Sequence, residues 1–366
     1  MKKMNRSKLT ALMLTAGLVA VPLALSANSL TVSNWGGAYI KAQKQAYMNP
    51  FAEFSGIDLK LENYQGGFEP LHVIDESSQP RFDVLDMLEF EALLACEEGL
   101  LVKFDRFDRS LLKPTPNGIS PAQDFIEDSI LDCGIAHLEY ATVLAYNDRS
   151  FTDEKPTTVG DFFDLEKFPG KRAIRKNPHA ILEWALMSYG VPSQQVYDLL
   201  STKRGLDLVA RRLNQIRDHI VWWEDGSAPV TMLQDGTVAM ASGYSGRFFS
   251  ARVNDDIPIS IVQEGQLLEF GVWAIPKNSD NLDNARRFIQ FVTSTKSMAA
   301  MGNLLPYAPT RNSALQRIGI HSNSNVSMRA YMTSSKSKGT IRTNSKWYAE
   351  TEEIREKWFN DWLESN

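Results

Sequence analysis

The sequence predicts an α/β protein of about two domains, and three observations carry that prediction. The chain has 366 residues, more than a single hydrophobic core ordinarily serves at roughly 100–200 residues per domain. Short β-rich runs alternate with longer stretches whose apolar residues recur near helical spacing, the order that builds sheets flanked by helices. The composition, 43% hydrophobic and 23% charged, is that of a globular chain and lies outside the disordered range.

Each element follows from local pattern. Residues 30–34 (LTVSN) read as a strand, and 36–54 as a helix with Tyr39, Ala42, Ala46, Tyr47, Phe51 and Phe54 near one face and Gly56 closing it. Residues 57–64 alternate as a strand, 68–77 suit a helix, and 82–87 (FDVLDM) form a strand leading into a helix near 90–98. This βαβα order implies parallel pairing, with ligands beyond the carboxyl ends of the strands, beside Trp35, Gly36 and Gly37 and beside residues 87–90. A second α/β region begins near Ile135. Residues 138–146 and 173–175 read as strands, separated by a turn at 168–172, and helices are expected at 180–189, 193–200 and 205–218. Later strands are expected at 238–241, 257–262 and 270–275, and an amphipathic helix at 282–293. The tail 347–362 puts Trp347, Ile354, Trp358 and Trp362 near one helical face, which reads as core packing. Residues 334–338 read as an exposed loop.

The N-terminus has its own signature. Lys2, Lys3, Arg6 and Lys8 precede an apolar stretch from residue 9 to 25 that Thr10, Thr15, Gly17 and Pro22 interrupt, and small residues at Ala24 and Ser26 suit cleavage before Ala27. Residues 1–26 are therefore expected to be a cleavable secretory signal peptide, and the mature chain to be exported. Without that segment 35 basic residues face 44 acidic ones, a net charge of −9 over 340 residues. Such a balance excludes a phosphate-backbone binder, so no nucleic-acid partner is expected. Export makes the only two cysteines, Cys96 and Cys133, a disulfide candidate, with two separate buried thiols as the alternative. The five histidines are scattered without ligand spacing, so neither a metal nor a cofactor is expected. Gly36-Gly37 lies in no phosphate-binding pattern and Gly243-Tyr244-Ser245-Gly246 misses the nucleophile-elbow spacing, so no enzymatic motif is present.

Several stretches together resemble the extracellular solute-binding proteins of ABC transporters, in particular the spermidine/putrescine-binding proteins. They are Ser33-Asn34-Trp35 with Tyr39, Phe82-Asp83-Val84, Gly99-Leu100-Leu101, Ala145-Tyr146-Asn147, Phe168-Pro169-Gly170, Leu233-Gln234-Asp235-Gly236, Trp273-Ala274-Ile275-Pro276-Lys277 and Tyr307-Ala308-Pro309-Thr310. Their order covers nearly all of the mature chain. The resemblance implies a two-lobed periplasmic binding protein (Venus flytrap), each lobe a mixed sheet flanked by helices, with the ligand in the interlobe cleft. The first lobe would hold 27–136 and 272–305, and the second 137–271 and 306–366. It also implies a monomer that closes on a small molecule and presents it to the permease of an ABC transporter.

In that family the ligand lies between aromatic side chains, and acids meet its ammonium groups. Aromatic faces attract cations at about 0.5–2 kcal/mol per contact, and an ammonium leaving water needs a counter-charge. Carried over, Trp35, Tyr39, Tyr244 and Tyr307 match aromatic positions, and one of the adjacent Trp222 and Trp223, taken as Trp223, would face the cleft. The acids match poorly. The two amine-clamping carboxylates fall at Asn177 and Ala180, and a third at Gly271, with Glu269 two residues ahead and Asp86 or Glu89 at the rim. Arg247 is foreign to a polyamine site and suited to a carboxylate. Two ligands follow: a polyamine such as putrescine or spermidine, which the resemblance implies, or an amine–carboxylate zwitterion such as 4-aminobutyrate, with its carboxylate on Arg247 and its ammonium on Glu269 and the aromatics.

Overall fold

The structure, a computed structural model, describes residues 29–67, 71, 82–104, 112–332 and 337–365. The expected signal peptide, the expected helix 68–77 apart from Leu71, and most of the expected loop 334–338 lie outside the described residues. Among them are the strands β1 (Ser29–Asn34), β2 (Asp58–Asn63), β3 (Leu85–Leu88), β4 (Gly134–Asn147), β5 (Arg172–Arg175), β6 (Ile220–Trp223), β7 (Met240–Tyr244), β8 (Ile259–Ile261), β9 (Leu267–Ala274), β10 (Ala308–Pro309) and β11 (Ile341–Arg342).

Two regions with parallel pairing are joined by long antiparallel strands. In the first, β1 pairs parallel with β2, and a parallel bridge between Val32 and Val84 ties it to the entry of β3. In the second, β5 lies between β6 and β7 and is parallel to both. β4 and β9 run antiparallel to each other and pass from one region to the other. Near Gly134 and Ala274 they sit beside β3, and from Thr142 onward β4 pairs with β7. All 14 residues of β4 are buried. A strand covered on both faces loses its alternation, which is why sequence pattern found only 138–146 of it. The register slips between Ala136 and Leu138, a bulge that puts His137 at the crossing.

The packing confirms two lobes. Leu30, Val32, Tyr47, Phe51, Trp273 and Phe288 belong to one core, and Leu144, Phe162, Ile174, Trp184, Leu213 and Phe359 to another. The expected helix 36–54 spans Gly37–Gln43, a π-helical turn Lys44–Met48 and Asn49–Ser55, and ends on Gly56 in the left-handed conformation, φ 69°. The lobe boundaries need one correction. Residues 306–366 were expected in the second lobe, but Tyr307, Ala314, Ile318 and Met328 pack into the first core, whereas Ile341, Phe359 and Trp362 pack into the second. The apolar residues of 307–328 thus complete the surface around Met301 and Leu305, and the chain returns to the second lobe only near β11. The tryptophans of the tail pack on that second core, while Ile354 is exposed. A break at Thr351, between the helices Ser345–Glu350 and Glu352–Glu364, separates the two halves of the predicted stripe.

Cys96 and Cys133 form a disulfide, with Cα atoms 5.7 Å apart. It fastens the end of the helix Glu89–Glu97 to the start of β4, and so to the strand that crosses between lobes.

Candidate ligand site

Where the crossing strands meet the end of β3, a cavity of about 440 Å³, its mouth included, opens between the lobes. The first lobe supplies Trp35 and Tyr39 after β1 and Asp86, Met87 and Leu88 from β3; the crossing strands supply Leu138, Tyr140 and Gly271; the second lobe supplies Tyr244 and Arg247, and Tyr307 closes the wall. Aromatic faces dominate. Tyr140 is edge-on to Tyr244 at 5.8 Å and to Tyr307 at 6.2 Å, and Tyr39 is edge-on to Tyr307 at 5.8 Å. Local sequence explains the openness as well: a Cβ on Gly246 would come within 2.5 Å of the Tyr307 ring, so this ring reaches the cleft only past a glycine.

Two charges line this aromatic wall. Asp86 is buried, and Tyr39 Oη and Gln43 Nε2 each donate to its Oδ2 at 2.7 Å, while His137 Nε2 lies 3.3 Å from Oδ1. Trp35 Nε1 donates to the Asp86 carbonyl at 2.9 Å, which fixes the indole over the cavity. Burial, reinforced by the Asp86 charge, holds the Tyr39 hydroxyl well above its ordinary pKa, so it stays a donor. Burial does the same for Tyr307, which feels Arg247 and Asp86 with opposite sign and so stands between the two charges. Arg247 leads the helix Ser245–Asn254; its Nη1 donates to Ser227 Oγ at 2.7 Å and its Nη2 to the Trp35 carbonyl at 2.6 Å. A second guanidinium, Arg175, donates to Tyr244 Oη at 3.0 Å from behind. The Tyr140 hydroxyl is buried beside Glu269, its partner across the β4–β9 ladder. Burial, then the negative charge of Glu269 and the hydrogen bond toward it, hold its pKa well above 10, so it stays protonated.

Five of the residues singled out from sequence therefore meet here: Trp35, Tyr39, Tyr244, Arg247 and Tyr307. Four do not. Glu269 is buried beside Tyr140, its partner across the β4–β9 ladder, 2.9 Å from His179 Nε2, and accepts from Thr142 Oγ1 at 3.2 Å. Glu89 accepts from Ser345 Oγ at 2.8 Å, outside the cavity. Asn177 Oδ1 accepts from the His179 backbone N–H at 3.1 Å and sits with Gln65 and Arg175 in a separate surface recess. Trp223 is buried behind Tyr244, edge-on at 6.1 Å with its Nε1 on Ser242 Oγ, while Trp222 faces Phe359 and Trp362 on the other side. Of the residues that sequence reasoning left out of the site, Tyr140 is hidden in a strand without alternation. Asp86, expected only at the rim, is part of the cavity wall, and its signal was legible: the second acid of FDVLDM, at a strand's carboxyl end.

A two-lobed α/β scaffold with an aromatic, two-signed cavity on its crossing strands defines a receptor for a small molecule. The chain belongs to the bacterial extracellular solute-binding proteins, whose family model matches residues 46–328. It is 32% identical over 287 residues, 78% of each chain, to the gamma-aminobutyric acid-binding protein of Pseudomonas aeruginosa. Among solved structures it is similar to an ABC transporter substrate-binding protein from Bradyrhizobium japonicum USDA 110, with 26% identity, a TM-score of 0.75 and coverage of 92% of this chain and 99% of that one. The PBP MotA of A. tumefaciens B6 in complex with glucopine has the same fold, with a TM-score of 0.79 at 24% identity over 91% of this chain and 99% of that one. These relatives are binding proteins, and the chain is a solute receptor and not an enzyme.

Proposed function

We propose that this receptor captures a small amine–carboxylate zwitterion of the 4-aminobutyrate kind in the periplasm and delivers it to the permease of an ABC importer. One observation carries the reading: a single carboxylate, Asp86, and a single guanidinium, Arg247, line one aromatic cavity from opposite lobes. A ligand with one ammonium and one carboxylate complements both. Its carboxylate would take charge-assisted bonds from Arg247, and its ammonium would meet Asp86 and the faces of Trp35 and Tyr244. The polyamine alternative asks for acids at both ends, and Glu89 and Glu269 are engaged by Ser345 and by His179. The relative that binds gamma-aminobutyric acid supports the same choice.

The signal peptide expected at residues 1–26 suits such a receptor. Its likeness to exported receptors extends to the family model itself, which describes extracellular proteins.

Titration calorimetry with 4-aminobutyrate and putrescine tests the reading. The expected result is binding of 4-aminobutyrate, its loss by about 100-fold in Arg247→Ala and in Asp86→Asn, and no competition by putrescine. Binding of putrescine in preference to 4-aminobutyrate, unimpaired or improved in Arg247→Ala, would overturn it.

A further inference from the structure

Arg247 does more in this fold than line a cavity. Through Ser227 it is anchored on its own lobe, and through the Trp35 carbonyl it is bonded to the other. Its guanidinium also borders a second space, a polar interlobe groove of about 1350 Å³, open mouth included, with Lys41 and Gln45 on one side and Thr231 and Asn254 on the other. The same side chain is therefore a partition between the inner cavity and the outer groove and a bond between lobes. Room for it exists because two neighbours carry no side chain. A Cβ on Gly37, at φ +58°, would overlap Arg247 Nη1 and come within 2.5 Å of Ser227 Oγ. A Cβ on Gly226 would lie 3.2 Å from Arg247 Cζ and Nη2 and 3.1 Å from Tyr244 Cε2.

We propose that Gly37 and Gly226 are positioning residues that cradle Arg247 as an interlobe clasp, so that joining the lobes and sealing the ligand cavity both require the missing side chains. The atoms that crowd a Gly37 Cβ are the ends of Arg247 and Ser227, and those that crowd a Gly226 Cβ are Tyr244 Cε2 and the Arg247 guanidinium, so added bulk presses on the guanidinium and not on any backbone atom. Displacement removes a charge-assisted bond that exists only when the lobes are joined, and such a differential contact is what shifts an open–closed equilibrium. Lysine cannot stand in, because a point charge does not serve two divergent acceptors from one plane.

A mutant cycle in the full chain tests the clasp, with spin labels at Lys60→Cys and Lys203→Cys, exposed positions on the two lobes. The interlobe distance distribution is read without ligand and with 4-aminobutyrate. Arg247→Ala should lower the closed-to-open ratio by about tenfold, Gly226→Ala, whose Cβ asks its neighbours to give by a few tenths of an ångström, should lower it by a smaller factor, and the pair together should lower it no further than Arg247→Ala alone. Gly37→Ala should do the same, but its positive φ adds strain of its own. Gly226→Ala, whose φ is ordinary, therefore carries the decision. Additive effects, or an unchanged ratio in Gly226→Ala, overturn the clasp. The ligand-free ratios do not depend on which solute the receptor takes. A wild-type chain indifferent to 4-aminobutyrate but with coupled variants would sink the zwitterion reading and keep the clasp, and a responsive chain with uncoupled variants would do the reverse.

Discussion

Glu89 is a built-in pH dependence, and Glu89→Gln should remove it. The residue opens the helix Glu89–Glu97 and accepts from Ser345 Oγ, which starts the helix Ser345–Glu350 packed on the facing side. Burial pushes its carboxyl up to about 7, against the opposing pull of the Ser345 bond and the Arg342 charge, with Glu269 and Asp128 adding to the push. The ordinary value is 4.5, so between pH 4.5 and 7 the folded chain keeps a proton that the unfolded chain releases. Stability therefore falls as pH rises through that window and is level above it. The gap amounts to about 3 kcal/mol. Glutamine retains an acceptor for Ser345 and carries no charge to desolvate, and the gap is already net of every interaction the carboxylate makes in the folded chain. The variant should be more stable than wild type by about 3 kcal/mol at pH 8 and equal to it at pH 4.5. Urea denaturation at pH 4.5, 6 and 8 measures this as a difference between two curves, in which all other titrating groups cancel. Parallel curves across the range, or a variant less stable at pH 8, would refute the account.

Two further outcomes concern the scaffold. Replacing Cys96 and Cys133 together by serine should cost about 4 kcal/mol from the loss of a 37-residue closed loop, read from the urea midpoint with and without reductant on wild type. Arg172 is fully buried and donates to the carbonyls of Phe162 at 2.7 Å and Gly170 at 2.8 Å, and its Nη2 also donates to Phe168. Arg172→Met should cost about 3 kcal/mol or more by leaving these acceptors bare, with thermal denaturation as the measure and an unchanged midpoint as the contrary result.

How much of this was legible in the chain follows from which interactions are local. Helices with caps and one apolar face were readable, as at 37–55 with Gly56, because period and terminator lie within one segment. β4 was half-readable, since burial on both faces erases alternation. β6 escaped, and with it the orientation of Trp222 and Trp223, because four residues whose two faces are both apolar carry no register until β5 is beside them. The helix Ser245–Asn254 escaped for a related reason. It lies between the lobes and buries Phe248 in one core and Phe249 in another, so its apolar residues do not form a single stripe. In the site, the aromatics were legible one by one, but their convergence depends on β1, β7 and the segment before β10 being brought together over some 270 positions of chain. Glu269 shows the limit of carrying positions over by spacing: it shares the strand face of Gly271 and Tyr140, but one pair further along β9 it meets His179 and Thr142 instead of the cavity.

The loss of acids at the family positions need not mean the loss of an ammonium partner, because the position of an acid matters less than the space in front of it. At 271 a glycine replaces the expected aspartate, on β9 directly opposite Leu88 of β3. A Cβ built there would stand 3.5 Å from Asp86 Oδ1 and 3.3 Å from His137 Nε2. Gly271 is thus a window onto a carboxylate one strand away, and a side chain at 271 would cover it. The charge has moved from a crossing strand to β3, where Tyr39, Gln43 and His137 hold it in place. A carboxylate so heavily bonded is oriented before the ligand arrives, which lowers the ordering cost of binding. It has little capacity left for a second ammonium, and the other end of the cavity is cationic. The net charge, −5 in all and −9 without residues 1–26, therefore says nothing about the solute. The selectivity expected of this site comes from one acid exposed by one glycine, set against one arginine cradled by two others.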